Sequence, residues 1–119
     1  DKYTRGQNTL SELMGMPSDG RPAGYAEFAP TIDRFLKEHL FADIFERDVL
    51  SYRDRELATL SILAGVGGVE PMARAHMGIC LHLGITPRQL SALLDIVAYR
   101  LGTNAAEPLR VILQDLQGE

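Results

Sequence analysis

The sequence predicts an all-α protein, and three observations carry that expectation. No segment sustains an alternation of apolar and polar residues. Apolar side chains instead recur at three- and four-residue spacing through most of the chain. The segments that do so are punctuated by helix start and stop residues: Thr86-Pro87 and Pro71 at starts, Gly84 and Gly102 at stops.

Taken in order, the chain opens with a short helical pattern over residues 5–14, then a turn-rich loop, GMPSDGRP, that either covers a pocket or simply connects. Residues 26–46 contain FAPTIDRFLKEHLFADIFE, read as one long helix or two broken near His39. Pro30 favours a start near Ala29, and Phe28, Ile32, Phe35, Leu36, Leu40 and Ile44 recur at helical spacing. Ser51 followed by Asp54 resembles an N-cap for a helix over residues 52–64, which ends in the flexible run Gly65-Val66-Gly67-Gly68. Residues 70–84, EPMARAHMGICLHLG, form the next helix, with Pro71 at its start and Gly84 just past its end. Thr86-Pro87-Arg88-Gln89 has the form of a capping box for a helix over residues 87–101, with Leu90, Leu93, Leu94, Val97 and Leu101 as its stripe. A last helix runs from Glu107 or Pro108 to Leu116. The expectation is one domain over residues 1–119, a bundle of about six helices with an N-terminal helix and loop (1–24) and a core (29–116).

Composition bounds the function. A chain of 119 residues, 45% hydrophobic with a net charge of −4, suits a soluble globular protein, and its basic residues are scattered among acidic ones, which does not favour nucleic acid. A single cysteine excludes an intramolecular disulfide and favours a reducing, cytoplasmic setting. No apolar run reaches about 18 residues, so no membrane span is expected. The chain does not begin with Met, so a targeting segment ahead of residue 1 stays open.

The most informative helix is the one over residues 70–84, which is apolar on nearly all sides. At about 100° per residue, Met72, His76, Ile79 and Leu83 share a stripe, Cys80 sits one turn below His76, and Met77 and Leu81 point the other way. Such a helix must be covered all round, and part of the cover is expected from another copy of the chain. Glu56 falls on the apolar side of the preceding helix, placed to enter a cavity. His76 reads either as a core histidine bonded to a carbonyl or as a functional group. Glu56 reads as a first-turn acid, as the partner of an arginine or as a functional carboxylate. Cys80 reads as a small buried hydrophobe or a nucleophile, and His39 and His82 as surface or interface residues. Arg53 and Arg55 lie in a charged first turn that is usually solvated. His76 and His82 stand about 120° apart on one helix, so they do not share a metal ion from one face.

Residues 50–57 (LSYRDREL), a small-residue helix, a Gly-rich turn, Ala75-His76 followed eight residues later by Gly84-Ile85-Thr86-Pro87, and the helix to Gly102 together resemble the carboxymuconolactone decarboxylase family, from about Ala29 to Leu116. The resemblance implies an all-helical, alkylhydroperoxidase D-like fold assembled as a trimer or hexamer, with pockets near subunit contacts. The alkylhydroperoxidase D-like branch carries a Cys-x-x-Cys pair ahead of the helix histidine; here those positions hold Val69 and Met72. Without the pair there is no resolving thiol for a dithiol peroxidase cycle. The implied function is then a cofactor-independent decarboxylase of a small carboxylated lactone or related ring compound. His76 would be the general acid, with Glu56 orienting or charging it. Arg53 or Arg55 would hold a substrate carboxylate bidentately, with Cys80 beside the substrate. No metal and no organic cofactor is needed, because the conjugated lactone is its own electron sink. The alternative is an antioxidant relative of the alkylhydroperoxidases using Cys80, or a non-catalytic oligomer that binds a small molecule.

Overall fold

The computed structural model describes residues 1–17, 21 and 24–118, and these fall into two compact units, Asp1–Ser51 and Tyr52–Glu119. Among the described residues there are helices and no strands, so the all-α expectation holds.

In the first unit, α1 (Lys2–Met14) starts three residues earlier than the sequence pattern suggested, because the Asp1 carboxylate accepts a hydrogen bond from the Thr4 amide at 2.8 Å and caps it. Gly15, at φ 70°, ends it. Residues 18–20 and 22 of the turn-rich loop after it lie outside the described residues. The segment expected as one long helix or two broken near His39 is instead a short α2 (Tyr25–Phe28), then α3 (Pro30–Phe35), which runs directly into a π-helical stretch, Leu36–Ile44. The break is at Ala29, which Pro30 drives out of the helical region to φ −134°, ψ 70°. Phe28, Ile32 and Phe35, three of the residues expected on the apolar face, are exposed, while Phe41, Ala42 and Phe45 are buried. α1 packs on the π-helical stretch closely enough that a Cβ on Gly6 would overlap the Lys37 carbonyl. Asp33, buried, is held by Lys37 Nζ at 2.8 Å.

The second unit is a four-helix core. α4 (Tyr52–Val66) and α5 (Glu70–His82) are joined by the turn at Gly67 and Gly68, both at positive φ, and α6 (Pro87–Leu101) and α7 (Thr103–Gln117) complete it. α5 ends as its sequence promised. The Ile85 amide donates to the Cys80 carbonyl and the Gly84 amide to that of Leu81, with Gly84 at φ 88°, a Schellman motif. The capping box is present: Thr86 Oγ1 accepts from the Gln89 amide at 3.1 Å and Gln89 Oε1 from the Thr86 amide at 2.9 Å. α7 begins at Thr103, about a turn before the expected Glu107 or Pro108, and carries Pro108 inside it. Local preference put Pro108 at the start. The extra turn is favoured because it buries Ala106 beside Leu109, Ile112 and Leu113, at the expense of one helical hydrogen bond that Pro108 cannot donate.

The core of this unit centres on Leu60, Met77, Cys80, Leu90, Leu94 and Ala106, all fully buried. α5 is buried on opposite sides, at Met77 and at Ile79. Met72, expected on the same stripe as His76, is instead half exposed.

Candidate active site

Two polar side chains of the second unit stand out because each occupies an apolar position on its helix. Glu56 is one turn into α4 and has no exposed surface; His76, midway along α5, is 9% exposed. The Gly67-Gly68 turn sends α5 back along α4, and this antiparallel pairing brings the two together. His76 Nδ1 lies 2.7 Å from Glu56 Oε2, a short, charge-assisted bond in low-dielectric surroundings. With the proton on Nδ1, the imidazole donates to the carboxylate, which fixes the ring's orientation and leaves Nε2 as the other working nitrogen. Glu56 Oε1 makes no hydrogen bond among the described residues.

Cys80, one turn after His76 on α5, is fully buried. Burial first, and then the negative charge of Glu56, push its thiol up to about 12. Near neutral pH it therefore stays a thiol, not the thiolate that nucleophilic or peroxidatic chemistry needs.

Arg53 sits in the first turn of α4, exposed, and its Nε donates to the Leu83 carbonyl at 2.9 Å, satisfying the C-terminal end of α5. Its Nη2 also lies 2.6 Å from where a Cβ on Gly84 would stand, so any larger residue there would displace the guanidinium. Arg53 also lines an open groove of about 410 Å³ with Leu57, Ile85, Leu93 and Ile96. A wider groove, about 590 Å³, runs between α6 and α7 past Arg88, Asp95 and Arg110. Glu56 and His76 are not among the walls of either. Arg55, beside Glu56 in sequence, is half-buried. His82 is exposed on α5, and His39 belongs to the first unit, where its ring stacks on Phe35 at 5.1 Å and its Nδ1 lies 3.5 Å from Asp43 Oδ2.

Of the five residues singled out from the sequence, the fold thus joins Glu56 and His76 directly and seats Cys80 one turn away in the same core. Arg53 is tied to the end of α5. The role of the Leu83 carbonyl had no sequence signal, since the acceptor is a backbone group 30 residues away.

Among the described residues, no group of three or more His, Cys, Asp or Glu side chains is placed to hold a metal ion, and no helix is long and apolar enough to cross a membrane. No curated protein matches the chain. The family model described as the carboxymuconolactone decarboxylase family matches residues 30–114, within two residues at either end of the span over which the sequence pattern resembles it. With most of its length matched, the chain belongs to the carboxymuconolactone decarboxylase family.

Proposed function

We propose that this protein is a cofactor-independent lyase that decarboxylates a small carboxylated lactone or a related ring compound. The observation that carries the reading is the buried 2.7 Å bond between His76 Nδ1 and Glu56 Oε2. It supplies an imidazole held in one orientation by an adjacent carboxylate, the positioning a general acid needs.

In the proposed reaction the bond between ring carbon and substrate carboxylate breaks and carbon dioxide leaves. The electron pair passes into the conjugated lactone and onto its carbonyl oxygen. His76 Nε2 then gives its proton to the ring carbon and takes another from solvent, while Glu56 Oε2 holds the ring through Nδ1. Arg53 and Arg55 are the proposed cations for the substrate carboxylates, as guanidinium groups bind them in bidentate fashion. The peroxidase alternative is disfavoured by the burial and raised pKa of Cys80.

The proposal extends to a homo-oligomer, trimer or hexamer. Ile62, Val66, Met72, Ile96, Tyr99 and Leu101 of the second unit are half or more exposed, an unusual load of large apolar side chains for a free surface. Light scattering tests this; a monomer at micromolar concentration refutes it.

The decisive experiment is carbon dioxide release from carboxymuconolactone by the parent protein and by His76→Gln. General acid catalysis typically contributes ~10²–10⁴-fold, so His76→Gln is expected to lose at least about a hundredfold while keeping its oligomeric mass. His82→Gln, on the exposed side of α5, is expected to match the parent. A parent that releases no carbon dioxide from carboxylated lactones, or a His76→Gln as active as the parent, refutes the reading.

A further inference from the structure

The first unit holds a cavity of about 230 Å³ that shares no residue with the Glu56–His76 pair. Its polar wall comes from the junction of α3 with the π-helical stretch, which supplies Asp33, Arg34 and Lys37, and from Tyr3 on α1. The Lys37 and Asp33 side chains are only 14% and 13% exposed and are joined at 2.8 Å. The Tyr25 hydroxyl donates to the other Asp33 oxygen at 3.4 Å, and the Lys37 ammonium donates also to the Tyr3 hydroxyl at 3.4 Å. An ammonium has three protons to give, so among the described residues one remains for a ligand. Burial by itself would lower the Lys37 pKa, but the bonds to Asp33 and Tyr3 outweigh it and hold the group above the usual lysine value, charged at neutral pH. Arg34 stands close by: the Tyr3 ring carries both cations, with Arg34 Cζ 5.4 Å and Lys37 Nζ 5.2 Å from its centroid. A ring holds cations without cancelling their charge. Arg21 adds a third cation to the wall. Against these three the described wall residues include one carboxylate, Asp33, which leaves an excess of two positive charges. Arg34 also meets Glu38 at 3.3 Å, an exposed pair of the kind that contributes little.

We propose that this cavity is a binding site for a small organic carboxylate, with the oxyanion among Lys37, Arg34 and Arg21 and an apolar body against Ala26 and Pro30. Cations gathered in one recess repel one another, and an anion placed among them relieves that repulsion while accepting charge-assisted hydrogen bonds. Asp33 does not cancel the effect, because its charge is committed to Lys37 and its other oxygen to Tyr25. The size of the cavity limits the ligand. At ~30 Å³ per liquid water, about 230 Å³ is the space of roughly eight waters, room for one carboxylate on a body of a single ring. A bare inorganic anion would leave the Ala26 and Pro30 side without a partner. The site is separate from the catalytic reading above and needs no turnover to be detected.

The test is titration of the ¹⁵N-labelled full chain with benzoate, with its neutral isostere benzamide and with inorganic phosphate, followed through assigned backbone amides. Benzoate is expected to give saturable shifts at Tyr3, Ala26, Arg34 and Lys37, benzamide none there, and phosphate weaker binding than benzoate. Arg34→Gln, a change at an exposed side chain, is expected to weaken benzoate about tenfold, the scale of one charge-assisted hydrogen bond. Arg5→Gln loses the same charge from the same unit, where Arg5 pairs with Glu46 at 3.1 Å outside the cavity, and is expected to bind as the parent does. The double variant Asp33→Asn/Lys37→Met removes the inner pair together, so that no buried charge is stranded, and is expected to abolish binding while keeping its helix signal. The proposal is overturned if benzoate shifts no amide of the first unit, if benzamide or phosphate binds there as tightly as benzoate, or if Arg34→Gln binds no more weakly than Arg5→Gln. None of these readouts involves carbon dioxide release, so a parent that binds benzoate here but lacks lyase activity counts against the proposed function alone.

Discussion

Replacing His76 with alanine removes the one hydrogen bond that the Glu56 carboxylate makes among the described residues. Glu56 has no exposed surface and its second oxygen already lacks a donor, so the variant strands an ionised group in apolar surroundings. Breaking a buried pair by removing one partner costs about 3–5 kcal/mol. The lost packing of the imidazole adds on the order of 1 kcal/mol. Domains of this kind are stable by roughly 5–15 kcal/mol, so the loss takes a large part of the total. With a urea slope of about 2 kcal/mol/M, His76→Ala should lower the unfolding midpoint by roughly 2–3 M. His76→Gln keeps an N–H that can reach the carboxylate and should cost no more than about 1.5 kcal/mol. The double variant Glu56→Met/His76→Leu removes both partners, and buried pairs replaced by apolar residues of similar volume are often neutral, so it should recover most of the loss. The assay is urea unfolding followed by circular dichroism at neutral pH, at one fixed protein concentration because assembly shifts apparent stability. A His76→Ala midpoint within about 0.5 M of the parent, or a double variant as unstable as the two single losses added, would refute the account of a stranded buried charge.

Three further outcomes follow from the same geometry. The Cys80 thiol is raised from an ordinary 9.0 to about 12 on folding. Its stabilising contribution is therefore intact below about pH 9 and lost as pH rises toward the folded value, at about 1.4 kcal/mol per pH unit; urea midpoints between about pH 8 and pH 10.5 should fall more steeply for the parent than for Cys80→Ala, and equal slopes would contradict the buried-thiol assignment. Gly6→Ala forces a methyl into the Lys37 carbonyl and should destabilise the first unit by roughly 1–3 kcal/mol, seen as an earlier loss of helix signal on heating; a parent-like melt would show that α1 and the π-helical stretch are not in such close contact. With Val69 and Met72 where a redox pair would stand, an alkyl hydroperoxide assay with thiol recycling should give no turnover, and turnover abolished by Cys80→Ser would mean that the lone thiol is reactive after all.

Much of the second unit was legible in the chain itself because its signals are local. Thr86 and Gln89 bond to each other's backbone across three residues, and Gly84 and Gly102 adopt positive φ where α5 and α6 end; each depends only on side-chain chemistry within one turn. Glu56 and His76 were visible too, as polar groups at apolar helix positions, which marks burial before any contact is known. What sequence periodicity could not supply was which face of a helix meets which neighbour. The 3.6-residue pattern placed Phe28, Ile32 and Phe35 inward, but the break at Ala29 puts Phe28 on a helix of its own and all three are exposed, while the buried residues Phe41, Ala42 and Phe45 lie in or just after the stretch of i to i+5 winding, Leu36–Ile44, with the Phe45 amide on the Leu40 carbonyl at 2.8 Å. Pro108 looked like a helix start, yet α7 runs through it because packing Ala106 into the core outweighs one missing hydrogen bond. The bond between Glu56 and His76, and that between Arg53 and the Leu83 carbonyl, span 20 and 30 residues. Residue type alone made both groups notable; only the antiparallel packing of α4 on α5 decided that the carboxylate would meet an imidazole and not the arginines beside it in sequence.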